Sequence, residues 1–265
     1  ESGVGTLHFE IAGSPDFHKL HWEALKDPDP ALPRAFSLET PMVRRNLKPR
    51  TVQANVRPSP TLNLLVVIAR PSVGQDVGYR TISRPLVEGL RKANLRVKID
   101  LLRPGTYEAL AKRLEAVRDA HGAGYYHVIH FDVHGALLTY DQLQKGFEAN
   151  RFLYQTRFGR QDIEQYDGLK AFLSLEGEAE NQSDLVEASE LADLLTTHQV
   201  PIAILNACQS GKQIGATETS LGSRLMQAGM QTVLAMGYSV TVTAAELMMR
   251  ALYGQLFAGA DLSAA

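Results

Sequence analysis

His130-Phe131-Asp132-Val133-His134-Gly135 closes the apolar run Tyr126 to Phe131, and Asn206-Ala207-Cys208-Gln209-Ser210-Gly211 follows the apolar run Pro201 to Leu205. Short continuous apolar runs read as strands buried on both faces of a sheet. Each motif therefore stands where a strand ends and a loop begins. The second holds Cys208, the one cysteine among 265 residues. A thiol and an imidazole at neighbouring strand ends are the minimum equipment of a cysteine peptidase. The thiolate attacks a peptide carbonyl, and the imidazole manages the proton.

Working outward, Thr61 to Ala69 is a further buried run, and after it the pattern alternates. Ile82 to Ala93 has helical spacing, Arg96 to Leu102 alternates like a strand, and Tyr107 to Ala120 reads as a helix with Leu110, Leu114 and Val117 on one face. Lys170 to Leu175 is a short strand. Ser183 caps a predicted helix running to about His198, with Leu185, Leu191, Leu194 and Leu195 as its apolar stripe. Thr219 to Ala228 is a helix, Gln231 to Met236 a strand, and Ala244 to Phe257 a helix. The alternation predicts an α/β fold, a mostly parallel central sheet with helices on both faces. Upstream, Thr6 to Ile11 reads as a half-exposed strand and Leu20 to Leu25 as a short helical turn. Arg44 to Pro60, rich in Arg, Lys, Pro and Asn, reads as a connecting segment. The stretch Leu137 to Gly168 breaks the rhythm and reads as a long loop. It is either a wall or lid beside His134 or a surface excursion packed on itself.

With 45% hydrophobic and 21% charged residues, the composition is that of an ordinary globular protein. The formal net charge is −2, from 27 basic and 29 acidic residues, and no long block of like charge occurs, so direct nucleic-acid binding is not expected. No apolar stretch approaches the roughly 18 residues that span a membrane, and the chain does not open on a secretory signal. A single cysteine excludes an internal disulfide framework and suits a reducing cytoplasm. The first residue is Glu1, and Asp261 to Ala265 read like the start of a further helix. The expectation is a piece of a longer chain, with an N-terminal part at 1–60 and a catalytic region at 61–265.

In an open sheet, active residues gather beyond the carboxyl ends of the strands. His134 is the candidate proton carrier and Cys208 the candidate nucleophile. Their order, His before Cys, is that of caspase-like enzymes and the reverse of papain-like ones. Gly135 follows the histidine, and the backbone amides of Gly135 and Cys208 are the candidate oxyanion hole. His130, inside the run, reads as a core or supporting residue. The i, i+4 spacing of His130 and His134 would join metal ligands on a helix, not on a strand, so no metal is expected. The rival reading treats Cys208 as a small buried hydrophobe and the domain as a catalytically silent scaffold or binding module. Phosphate-cradling motifs and Gly-x-Ser-x-Gly are missing from the chain.

The two motifs resemble the histidine and cysteine motifs of the caspase-like peptidases of clan CD, and in detail those of the CHAT domain (caspase, HetF-associated). Leu20-His-Trp-Glu-Ala-Leu25 resembles the tryptophan motif early in such domains. Glu218 to Met236 resembles the stretch after their cysteine. The resemblance covers nearly the whole chain. It implies a caspase-like fold, a His134–Cys208 dyad without cofactor or metal, cleavage of a protein substrate, and a bacterial cytoplasmic setting. It further implies latency relieved by a regulatory sensor or a tetratricopeptide-repeat partner, as in signalling or antiviral defence. In such enzymes the residue two before the cysteine helps bind the side chain preceding the cut. Here that residue is the neutral Asn206, and Asp76, Arg80 and Asp132 are the charged candidates for substrate binding.

Overall fold

The structure is a computed structural model that describes residues 9–14, 17–20, 22–26, 35–38, 40–45, 57–71, 96–179, 181–207, 222, 224–227, 229–235 and 242–260. The predicted helix Ile82 to Ala93, most of the one at Thr219 to Ala228, and the candidate residues Asp76, Arg80 and Cys208 lie outside the described residues.

The N-terminal part contains strand β1 (Phe9–Ala12), paired in parallel with β2 (Met42–Arg45). Arg44 braces it. Its Nε and Nη2 donate to the two carboxylate oxygens of Glu23 at 2.8 and 2.7 Å, and Nη2 also donates to the Leu20 carbonyl at 2.8 Å. The predicted turn at Leu20 to Leu25 is a 3-10 turn, Trp22–Ala24. The indole Nε1 of Trp22 donates to the Phe17 carbonyl at 2.9 Å.

The main body begins with β3 (Leu62–Ile68), in which every residue after Leu62 is buried. It continues with β4 (Val97–Leu102) and helix α1 (Tyr107–His121). Thr106 caps α1 by accepting from the Ala109 N–H, and Gly122 ends it at φ +87°, a conformation costly for any other residue. Next come β5 (Val128–Leu138), α2 (Tyr140–Glu148), β6 (Phe152–Thr156), β7 (Gly159–Arg160), β8 (Lys170–Glu176) and β9 (Ser183–Glu187). The chain closes with α3 (Ala188–Thr197), β10 (Ile202–Ala207), β11 (Thr232–Ala235) and α4 (Val242–Phe257).

Among the described residues, β3 to β11 form one sheet. At its centre β11, β10, β5, β3 and β4 lie side by side, and all four pairings are parallel. β5 outruns its neighbours. Its last residues, His134 to Leu138, pair antiparallel with β8, which is antiparallel to β9 in turn. β6 joins β9 in parallel, and β7 folds back on β6. The sheet is thus mixed, a correction to the mostly parallel expectation. The connection from β5 to β8 does not carry the chain back to the starting end of the sheet, so β8 runs opposite to β5.

Side chains alternate across this sheet and build two cores. Leu65, Val67, Ile129, Phe131, Ala203 and Leu205 pack on one face with Leu110 and Leu114 of α1 and Leu191 and Leu195 of α3. Leu64, Val66, Ile68, Val128 and Ile204 pack on the other with Met249, Leu252, Tyr253 and Phe257 of α4. Helices cover both faces, as expected. Each fully buried large apolar side chain contributes about 2 kcal/mol through removal from water.

Two further expectations are corrected. Ser183 does not cap a helix: Ser183 to Glu187 form β9, held between β8 and β6, and the helix begins at Ala188. Pairing on both edges makes this segment a strand, and a separation of six residues does not put Leu185 and Leu191 on one helix face. The stretch Leu137 to Gly168 is not a structureless loop. It carries α2, opened by a reciprocal Thr139–Gln142 capping box, then β6 and β7. Phe147, Phe152, Tyr154 and Tyr166 pack around Leu143, Ile163, Phe172 and Leu185, so the excursion is packed on itself and on the sheet.

Candidate active site at the strand ends

Period-two alternation along β5 puts His130, Asp132 and His134 on the face covered by α4. The parallel register sets Ile204 beside His130 and Asn206 beside Asp132 on one edge, and Val66 and Ile68 beside the same two residues on the other. Polar groups thus accumulate along one line of the sheet, from its sealed middle to the carboxyl ends.

His130 occupies the sealed part. It is wholly buried, its Nδ1 is bonded to the Tyr253 hydroxyl at 2.5 Å, and the two rings stack with centroids 5.6 Å apart. Burial pushes the imidazole pKa down to about 3, so the ring is neutral. His130 is a core residue.

One step along the line, Asp132 is 3% exposed, and both of its carboxylate oxygens have partners. Its Oδ2 pairs with Arg70 Nη2, and its Oδ1 accepts from Asn206 Nδ2 at 3.1 Å. Arg70 Nη1 donates to the Asp132 carbonyl at 2.7 Å and to that of Ala69 at 2.9 Å. Burial pushes the Asp132 carboxyl pKa up, opposed by the Arg70 charge and by the Arg70 and Asn206 hydrogen bonds. A positive charge on His134 also lowers it, so the two side chains share one electrostatic neighbourhood. Because Asp132 accepts, the Asn206 amide is oriented with Nδ2 toward it. Asn206 Oδ1 is buried and has no hydrogen-bond partner among the described residues.

A second carboxylate ties the neighbouring strand ends. Glu176, the last residue of β8, accepts from the Arg70 N–H at 2.8 Å and from the Gly105 N–H at 3.1 Å. Its own N–H donates to the Gly105 carbonyl at 3.0 Å. Gly105 is required here, since a Cβ would stand 2.3 Å from the Ile68 carbonyl oxygen.

His134 lies within β5, opposite Ser174 of β8, and is half-buried; Gly135 follows it in the strand, opposite Leu173. The expectation that the strand ends at Phe131, with His134 in the loop beyond, is corrected: β8 supplies a ladder that carries the strand on to Leu138. The structure brings Asp132, His134 and Asn206 together where β3 and β10 end alongside the middle of β5. Cys208, Asp76 and Arg80 fall outside the described residues. Arg70 and Glu176 were not foreseen. Arg70 had a signal, since it directly follows the apolar run of β3, as the other motifs follow theirs. Among the described residues, no group of three or more His, Cys, Asp or Glu could hold a metal ion, and no helix is long and apolar enough to cross a membrane.

An α/β domain with a mixed sheet, covered by helices and carrying a polar cluster at its strand ends, is the class that fold and site define. Within that class the chain belongs to the CHAT domain family, whose profile matches residues 4–265. The family is associated with caspase-like cysteine peptidases. No protein with a curated description matches the chain.

Proposed function

We propose that the protein is a caspase-like cysteine endopeptidase in which Cys208 is the nucleophile and His134 its proton partner. One observation carries the reading. The β5–β10 ladder advances residue by residue to Ala207 beside Val133, and the next residues along the two chains are Cys208 and His134. Family membership and the caspase-like order of the motifs support the same assignment.

In the proposed mechanism, His134 takes the thiol proton and the Cys208 sulfur attacks the scissile carbonyl. The oxyanion is held by the backbone amides of Gly135 and Cys208. His134 then gives its proton to the leaving amine, which departs as the peptide C–N bond breaks and the thioester forms. Water, losing a proton to His134, hydrolyses the thioester and restores the thiol. No metal or cofactor enters these steps. The substrate is a protein loop. Asn206, Asp76 and Arg80 are the residues proposed to select the side chain preceding the cut, with Asp132 acting through its hydrogen bond to Asn206. The enzyme works in a bacterial cytoplasm and is held latent until a sensor or tetratricopeptide-repeat partner releases it.

The test is cleavage of a diverse peptide library by this protein beside its Cys208→Ala variant, with cut sites read by mass spectrometry. Cuts that vanish in the variant are the expected result. Cuts that persist in the variant, or a Cys208 that stays inert to thiol-directed peptide probes, would leave the domain as a scaffold.

A further inference from the structure

We infer that Asp132 is a positioning residue for the dyad: its one carboxylate locks the ends of β3 and β10 in register with the middle of β5, and Asp132 and Asn206 each stand two residues before a reactive one. The inference rests on the His134–Cys208 reading and adds to it a residue that touches neither substrate nor reacting atoms.

Three observations carry it. Asp132 is the last residue of β5 that pairs with β3, through Ile68, and the second-last that pairs with β10, through Asn206. Its two oxygens go in opposite directions, Oδ2 to Arg70 just past β3 and Oδ1 to Asn206 of β10. The cluster is buried, Asp132 at 3% and Asn206 at 4% exposure, where such bonds are not diluted by water. A buried carboxylate is expensive to keep charged, and hydrophobic residues of similar size would pack there at no such cost. What the ion pair supplies is geometry. Backbone ladders alone allow a strand end to fray or slip, and a slip of one residue shifts the chain by about 3.3 Å and turns its side chains to the other face. A thiol and an imidazole need contact within about 3.2 Å to exchange a proton, and a misplacement of about 1 Å already costs on the order of a hundredfold in rate. A side-chain tie between β5 and β10, two residues upstream on each strand, limits that slack. Arg70 extends the tie to β3, and its backbone N–H hands it on through Glu176 to β8, the strand that holds His134.

The chain has one cysteine, so alkylation reports on Cys208 alone. The rate of iodoacetamide labelling of the whole protein is followed against pH by intact mass for wild type, His134→Ala, Asp132→Asn and Asn206→Ala. Circular dichroism melts identify the variants that remain folded. Asn206→Ala cuts only the tie to β10 and leaves the Arg70–Asp132 pair whole, so it decides the matter if Asp132→Asn does not fold. The expected wild-type profile is that of a thiolate formed below about pH 7.5, and His134→Ala moves it toward the ordinary value of about 8.5. Folded Asp132→Asn and Asn206→Ala move it the same way, with labelling at pH 6.5 slowed about tenfold. A merely structural role would lower the melting temperature and leave the pH midpoint in place. If His134→Ala shifts the midpoint while both other variants keep the wild-type value, the positioning role is overturned and the dyad stands. If His134→Ala shifts nothing, the dyad reading fails and the positioning role with it.

Discussion

The two halves of β5 invite comparison. Val128 to Val133 lie between parallel neighbours, β10 on one edge and, as far as Asp132, β3 on the other, under the apolar cover of α4. His134 to Leu138 pair with antiparallel β8. Each half carries a histidine on the same face, four residues apart. His130, sealed against Tyr253, has its imidazole held neutral by burial; His134 is half-buried beside a polar cluster. The same side chain is packing material in one half and candidate chemistry in the other. What separates them is where the neighbouring strands stop: β3 and β10 end within a residue or two of Asp132, and beyond that line the sheet no longer encloses what it carries.

That contrast can be broken most forcefully at its open end. His134→Ala is expected to lower peptide cleavage by about 10²- to 10⁴-fold, the usual worth of an acid–base group. Its unfolding free energy, from urea titration, should stay within about 0.5 kcal/mol of wild type, as for a partly exposed site. An unchanged cleavage rate would erase the distinction between the halves. His130→Ala should do the opposite and cost about 2–4 kcal/mol in the same titration, since it leaves a cavity and strands the Tyr253 hydroxyl.

The pH dependence of stability sharpens the contrast. The folded-state pKa of His130 lies near 3, below its unfolded value of 6.5. The unfolded chain therefore takes up a proton first as the pH falls. The stability associated with the neutral ring is whole above about pH 6.5 and is lost progressively between there and about pH 3. Urea midpoints across that window should fall more steeply for wild type than for His130→Phe, and the difference between the two curves isolates this histidine. Equal slopes would show that His130 is not sealed. The smallest effect is expected from Tyr253→Phe, which keeps the stacked ring and removes one buried hydrogen bond, for a loss of about 1 kcal/mol in the same titration.

The sealed half was also the legible half. Continuous apolar runs announced β3, the first part of β5 and β10, and helical spacing announced α1 to within a residue. Asp132 and Asn206 could be singled out because they follow such runs. Their mutual hydrogen bond could not, because it depends on which strands are neighbours and in what register. The extension of β5 past Phe131 was hidden for the same reason. Val133 to Leu138 is a strand because β8 pairs with it, and Lys170 to Glu176 carries no mark of its direction. The strand at Ser183 to Glu187 was missed because Leu185 was grouped with the helical leucines after it, although six residues separate it from Leu191 and only a ladder position suits it. Arg70 and Glu176 were invisible as a pair, since a carboxylate that accepts from backbone N–H groups leaves no spacing to read.

The ladder between His134 and Ser174 has a mechanical consequence. The imidazole is mounted on the anvil of the site. Displacing it means peeling β5 away from β8, and β8 is anchored in turn by Glu176 to the chain just past β3.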